Sequence, residues 1–300
     1  MFKKIFVLLS ITLIFSCAPS GSDDGIGKVI DSLQTEEPAL VVAKEAMEDI
    51  VQNVASPVEM AALIQAVGVP FSLEYLCKTN NVDSYDTNYK KALGLGFMGA
   101  DLGYLNIYSK TTQILSYITV IKKLSDGLKV GQFFDFKTLK DLASNSKNLD
   151  SLMYISVNSF NQMDEYLRQN KRGDLSALII AGVWIEGMYL ATQVVKEKPN
   201  REIVERIGEQ KVILDELLLI LRNFKKDENF AEIISDFDGI KTAYKGVEIS
   251  YKVGEPEAIV DEEGQLTIRQ NETSIVEISD EQLNRIISEV EKVRTKLTNL

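Results

Sequence analysis

The chain has 300 residues, a formal net charge of −11 and a sequence pI near 4.8. An acidic surface of that strength argues against nucleic acid and against anionic lipid headgroups as partners, because both repel it. The chain contains no histidine, which excludes hydrolases built on a histidine base and removes most zinc and haem sites. A hydrophobic content of 45% is that of a globular domain and too high for a disordered chain.

The N-terminus opens on Met1, Phe2, Lys3 and Lys4, followed by an apolar run from Ile5 to Phe15 broken only at Ser10 and Thr12. A basic start, a short apolar run and a small residue, Ser16, before Cys17 mark a secretory signal. The run is too short for a membrane span, which needs roughly 20 residues. Leu13, Ile14, Phe15, Ser16 and Cys17 resemble the lipobox of bacterial lipoproteins, with Phe15 bulkier than the residue usual there. That resemblance implies cleavage before Cys17, acylation of Cys17, and a cell-envelope location, lipid-anchored on the outer membrane. Loss of residues 1–16 leaves 284 residues and, with Lys3 and Lys4 gone, a formal charge of −13. Residues 17–38 then read as a lipidated flexible tether, polar and Gly/Ser-containing at its start. Within it, Ser22, Asp23 and Asp24 read either as an acidic surface-export tag or as a solvated linker.

Residues 39–300 read as one helical domain. The six prolines stand at 19, 38, 57, 70, 199 and 256, so residues 71–198 have none. Proline inside a helix costs ~3 kcal/mol, and a long proline-free run with helical periodicity predicts long helices. Short helices are expected over residues 26–69, with a polar break over 78–86. Apolar residues at Leu93, Phe97, Ala100, Tyr104 and Ile107 recur at helical spacing over 87–110. Further helices are expected over 114–124, 136–143, 149–169 and 175–196, the last with Asp174 as N-cap. Two more follow over 201–224 and 230–244. Residues 247–278 change texture: 247–253 alternate with period two, and 258–260 and 265–268 flank a hairpin loop at Asp261–Gly264. Ser279 and Gln282 then form a capping box that starts a final helix. The expected fold is all-α, an antiparallel helical bundle with a small β-hairpin before the C-terminal helix.

An internal echo runs through the chain. Ala92, Leu93, Gly96, Asp101, Tyr104 and Leu105 lie without a gap on Ala177, Leu178, Ala181, Glu186, Tyr189 and Leu190, at an offset of 85 residues. This reads as a duplicated helical hairpin about a pseudo-twofold axis, which would bring Asp101 and Glu186 together. Buried carboxylates need hydrogen bonds or a cation. Tyr104, Tyr108, Tyr189, Asn158 and Asn161 are the structural partners considered; a carboxylate pair holding Ca²⁺ or Mg²⁺, or sharing a proton, is the functional alternative. Asp101, Tyr104, Trp184, Glu186 and Tyr189 are thus the candidate ligand-binding residues, with Asp101 and Glu186 the metal candidates and no cofactor expected. Cys77, the one cysteine beyond Cys17, reads as a buried small hydrophobe.

Gly94, Gly96 and Gly99 spell GxGxxG, but the dinucleotide fingerprint needs a strand before it and a βαβ unit around it. Here the glycines read as a flat helix face for close packing. Gly99, Ala100, Asp101, Leu102, Gly103 and Tyr104, together with Ile121, Lys122, Lys123 and Leu124 and the lipobox, resemble an uncharacterised group of helical Gram-negative envelope lipoproteins. That resemblance spans roughly the first half of the mature chain and implies location without activity. Gly182, Val183, Trp184, Ile185 and Glu186 are similar to the GxHxxE signature of the imelysin-like family, but lack its histidine and bring the acid one position early. The expectation is therefore a lipid-anchored envelope protein that binds an envelope partner or small ligand or acts as a scaffold. The alternative is a carboxylate- or divalent-metal-dependent enzyme using Asp101 and Glu186.

Overall fold

The computed structural model describes residues 63–299, apart from 145–147, 255–256, 261–265 and 270–271. The signal segment, Cys17, the tether and most of the helical region expected over 26–69 lie outside the described residues, as does the Asp261–Gly264 loop. After two short 3-10 turns, Leu73–Tyr75 and Thr79–Ser84, come α1 (Asn88–Ile107), α2 (Thr111–Gly127), α3 (Phe136–Ala143) and α4 (Leu149–Gln169). The chain continues through α5 (Gly173–Glu197), α6 (Arg201–Arg222) and α7 (Glu228–Ala243). Four strands, β1 (Glu248–Val253), β2 (Glu257–Val260), β3 (Leu266–Arg269) and β4 (Glu272–Glu277), precede the last helix, α8 (Asp280–Thr298). The fold is all-α, as the periodicity predicts.

Local chemistry sets the helix starts. The Thr87 hydroxyl accepts from the Lys90 N–H, the Asn200 side chain from Ile203 N–H, and the Asp227 carboxylate from Asn229 N–H. Each satisfies one donor that the first turn leaves open. At α8 both halves of the capping box form: Ser279 accepts from Gln282 N–H, and Gln282 accepts from Ser279 N–H. The expected Asp174 cap is corrected. Helix α5 begins two residues earlier than expected, at Gly173, no side chain caps it, and Asp174 lies within the first turn, where its charge complements the helix dipole.

Helices α1 and α5 form the centre of the domain. On α5, Leu178, Ala181, Ile185, Met188 and Val194 are all buried. By length and composition α5 is apolar enough to cross a membrane, yet 78% of its apolar stretch is buried inside the domain, as in the core helix of a bundle. The α1–α5 crossing rests on two glycines. A Cβ on Gly96 would lie 2.3 Å from the Ile179 carbonyl oxygen and 2.9 Å from Gly182 Cα; one on Gly182 would lie 2.5 Å from the Leu93 carbonyl oxygen. Only a residue without a side chain permits that approach. The other two glycines of the GxGxxG string face rings, Gly94 against Tyr85 and Gly99 against Phe160, so the string is a packing surface.

The N-terminal ends of α1 and α5 share one cleft, lined by Asn88, Tyr89, Asp174 and Leu175 among others. Further along, Gly96 meets Gly182, and Asp101 meets Glu186. The two helices therefore run in the same direction, and residues of one meet those 85 or 86 positions later in the other.

The strands nest. β1 pairs antiparallel with β4, from Glu248 opposite Glu277 to Val253 opposite Glu272, and β2 pairs antiparallel with β3. Period-two geometry puts Ile249, Tyr251 and Val253 on the face that carries Val276. Val276 is buried against Gly208 of α6, whereas Tyr251 and Val253 are exposed farther along that face.

Candidate functional site

The Asp101 and Glu186 carboxyl groups meet in the core, each with no solvent exposure. Asp101 comes from the middle of α1 and Glu186 from the middle of α5, each beyond the glycine crossing that draws the helices together. Two further elements complete the cluster: the non-helical segment around Cys77, and Arg294 of α8. One oxygen of each acid and the Cys77 sulfur all lie within 4.8 Å of one another.

Arg294 grips Glu186 with a fork. Its Nε donates to Glu186 Oε2 at 3.0 Å and its Nη2 to Oε1 at 2.8 Å. Paired N–H···O bonds of this kind are the strongest carboxylate contacts a side chain makes. The same Nη2 donates to the Tyr75 carbonyl and to Cys77 Sγ, both at 3.2 Å. The guanidinium carbon stands 4.3 Å from the centre of the Tyr189 ring, within cation–π range. Burial works against the Arg294 charge, but the charge and hydrogen bonds of Glu186 outweigh it, so the pKa of Arg294 is raised above its ordinary value.

Asp101 is held differently. Its Oδ2 accepts the Cys77 backbone N–H at 2.9 Å. Its Oδ1 is buried and has no hydrogen-bond partner, and the acid beside it is Glu186, with one oxygen of each carboxyl within 4.8 Å. Burial, and then the charge of Glu186, push the Asp101 carboxyl well above the usual carboxylate range. Burial first, and then the charges of Glu186 and Asp101, likewise raise the Cys77 thiol. The Cys77 carbonyl is also occupied, accepting the Tyr117 hydroxyl at 2.6 Å.

The sequence candidates divide. Asp101, Glu186 and Tyr189 come together as expected. Tyr104 is fully buried but accepts from the Ser72 N–H through its hydroxyl and packs on Phe71 and Tyr108; the Tyr108 hydroxyl donates to the Val69 carbonyl. Trp184 leaves the candidate site: its indole N–H donates to Gln210 at 3.0 Å and its ring packs on Phe237. Two residues along a helix is a rotation of about 200°, so Trp184 and Glu186 face different neighbours. Asn158 and Asn161 are exposed on α4 and hold neither acid. The partners actually used, Arg294 and the Cys77 segment, were not among those expected.

As a donor set, a thiol and two carboxylates suit a divalent metal such as zinc. Against this, the guanidinium already supplies the positive charge between Cys77 Sγ and Glu186, where it is bonded to both. The described cleft of about 630 Å³, lined by Arg201, Glu248 and Gln282 among others, includes neither acid. No protein-family model, curated protein or solved structure matches this chain. Fold and site together define an all-α domain with a buried acid pair, one member of which, Glu186, is paired with Arg294.

Proposed function

We propose that this chain is a lipid-anchored cell-envelope protein that works by binding a partner or small ligand, or as a scaffold, and that its acid pair is structural. The observation that carries the second half is the Arg294 fork on a solvent-free Glu186. Carboxylate chemistry on a substrate needs an acid that a substrate can reach. Here Glu186 is engaged on both oxygens, and Asp101 lies under the Cys77 segment. The envelope address is supported by the run from Lys3 through Cys17.

Fractionation of a Gram-negative host expressing the full chain tests the address. The native chain is expected with the membranes, and Cys17→Ala in the soluble fraction. Equal distribution of the two would overturn the anchor.

A second reading, a carboxylate- or divalent-metal-dependent enzyme using Asp101 and Glu186, is favoured by one observation: Cys77 Sγ and the two acids are close enough to share an ion. Elemental analysis of the purified full chain separates the two. One equivalent of a divalent metal, lost in Glu186→Gln, would select the enzyme reading.

A further inference from the structure

We propose that Asp101 is a neutral carboxylic acid that donates a proton from Oδ1 to Glu186, and that this shared proton latches the Tyr75–Cys77 segment onto the helices. The geometry leaves few alternatives. With both acids ionised, Asp101, Glu186 and Arg294 would bury one negative charge in excess. Two ionised carboxylates cannot hydrogen-bond to each other, and Asp101 Oδ1 is buried without a donor beside a Glu186 oxygen within 4.8 Å of the Asp101 carboxyl. One proton neutralises the cluster and gives that oxygen a partner. The Arg294 fork stabilises Glu186 as the anion, which assigns the proton to Asp101.

The latch follows from what the cluster holds. Tyr75–Cys77, the end of the first 3-10 turn and the extended stretch after it, is the part of the site outside the α-helices. It is tied by Cys77 N–H to Asp101, by the Cys77 carbonyl to Tyr117, and by the Tyr75 carbonyl and Cys77 sulfur to Arg294. Removing the proton sets two carboxylates against each other in a dry core, where repulsion is poorly screened. Lifting this segment is the local motion that hydrates them, and it breaks few contacts compared with separating α1 from α5.

Every element around Asp101 bears on its charge. Cys77 faces it from the segment, Tyr85 from beyond the second 3-10 turn, Tyr104 from its own helix, Tyr117 from α2, Glu186 from α5 and Arg294 from α8. The thiol and the three phenols are pushed upward by burial, and Arg294 stays charged. Asp101 is therefore the group of the cluster that changes charge below the phenol range. A carboxyl raised on folding binds a proton that the opened state has released. Stability is thus fully present below the ordinary aspartate pKa and is lost as pH rises toward the raised value. Opening of the segment should increase up to about tenfold per pH unit within that window.

Asp101→Asn tests the latch, because asparagine keeps an oxygen for Cys77 N–H and supplies a permanent N–H to Glu186. The full chain and this variant would be treated with a thiol reagent over a pH series, with Cys77 labelling read by peptide mass to separate it from Cys17. Taking the ratio of the two chains at each pH cancels the reagent's own pH dependence. The native-to-variant labelling ratio is expected to rise by up to about tenfold per unit; a flat ratio would overturn the latch. Infrared spectra of the native chain at neutral pH supply a readout independent of the variant's folding: a protonated-carboxyl C=O band supports the proposal, and its absence sinks it. One equivalent of bound metal would put a cation where the proton is assigned and would equally overturn it.

Discussion

Gly96 of α1 lies backbone to backbone against Gly182 of α5, with no room for a methyl group on either. Gly187, five residues farther along α5, has nothing within 4 Å of where a Cβ would sit. The two environments predict opposite signs for one substitution. Gly187→Ala should gain up to ~1 kcal/mol from helix propensity. Gly96→Ala gains the same propensity but drives a methyl into the Ile179 carbonyl and the Val183 backbone, and should lose about 1–3 kcal/mol net. Denaturant melts of both variants check this; the idea fails if both move in the same direction.

A second tight glycine holds the ribbon. A Cβ on Gly208 would lie 2.3 Å from Cγ1 of Val276, and a valine has little rotamer freedom with which to yield. Gly208→Ala should therefore lift the β1–β4 base from α6, seen as faster amide exchange in β1 and β4 with α1 and α5 unchanged. Adding Val276→Ala should restore protection by making room for the new methyl.

The capping box at α8 carries a measurable share of stability. Ser279→Ala removes the acceptor for Gln282 N–H and should cost about 0.5–2 kcal/mol. Gln282→Ala removes the reciprocal bond to Ser279 N–H. Because the two bonds close one box, the double variant should cost less than the two single losses added together. Strict additivity in thermal melts would show that the bonds act independently.

Local signals made the helices legible. Apolar spacing placed 149–169 residue for residue, and the capping box located the start of α8. The acid pair was legible too, through the echo at an offset of 85 residues. Its counter-ion was overlooked although a signal existed. Arg294 falls four residues after Val290 and three before Leu297, on the stripe that α8 buries. A charge there needs a buried partner, and the α1–α5 pair has one. The Cys77 contribution had no such trace. Its ties to Asp101 and Tyr117 run through backbone N–H and C=O groups to helices 24 and 40 residues away in sequence, and backbone groups carry no residue type to read. Asp174 misled for a different reason: an acid in the first turn and an acid at the cap produce the same sequence pattern, and the dipole favours both.

The Arg294–Glu186 pair joins α8 to the central helices across 108 residues of chain. Its worth depends on which half is removed. Arg294→Met leaves Glu186 buried with no counter-charge beside a second carboxyl, and should cost about 3–5 kcal/mol. Glu186→Gln leaves the guanidinium without its counter-ion in the same pocket and should be comparably damaging. Replacing both with Met removes the desolvation cost along with the attraction, and such exchanges are often neutral or stabilising. The double variant should therefore be more stable than either single one, with Asp101 relieved of its nearest anion. A double-mutant cycle by urea unfolding measures all three effects. If the double variant were no more stable than Arg294→Met, the pair would be holding the bundle by shape rather than by charge.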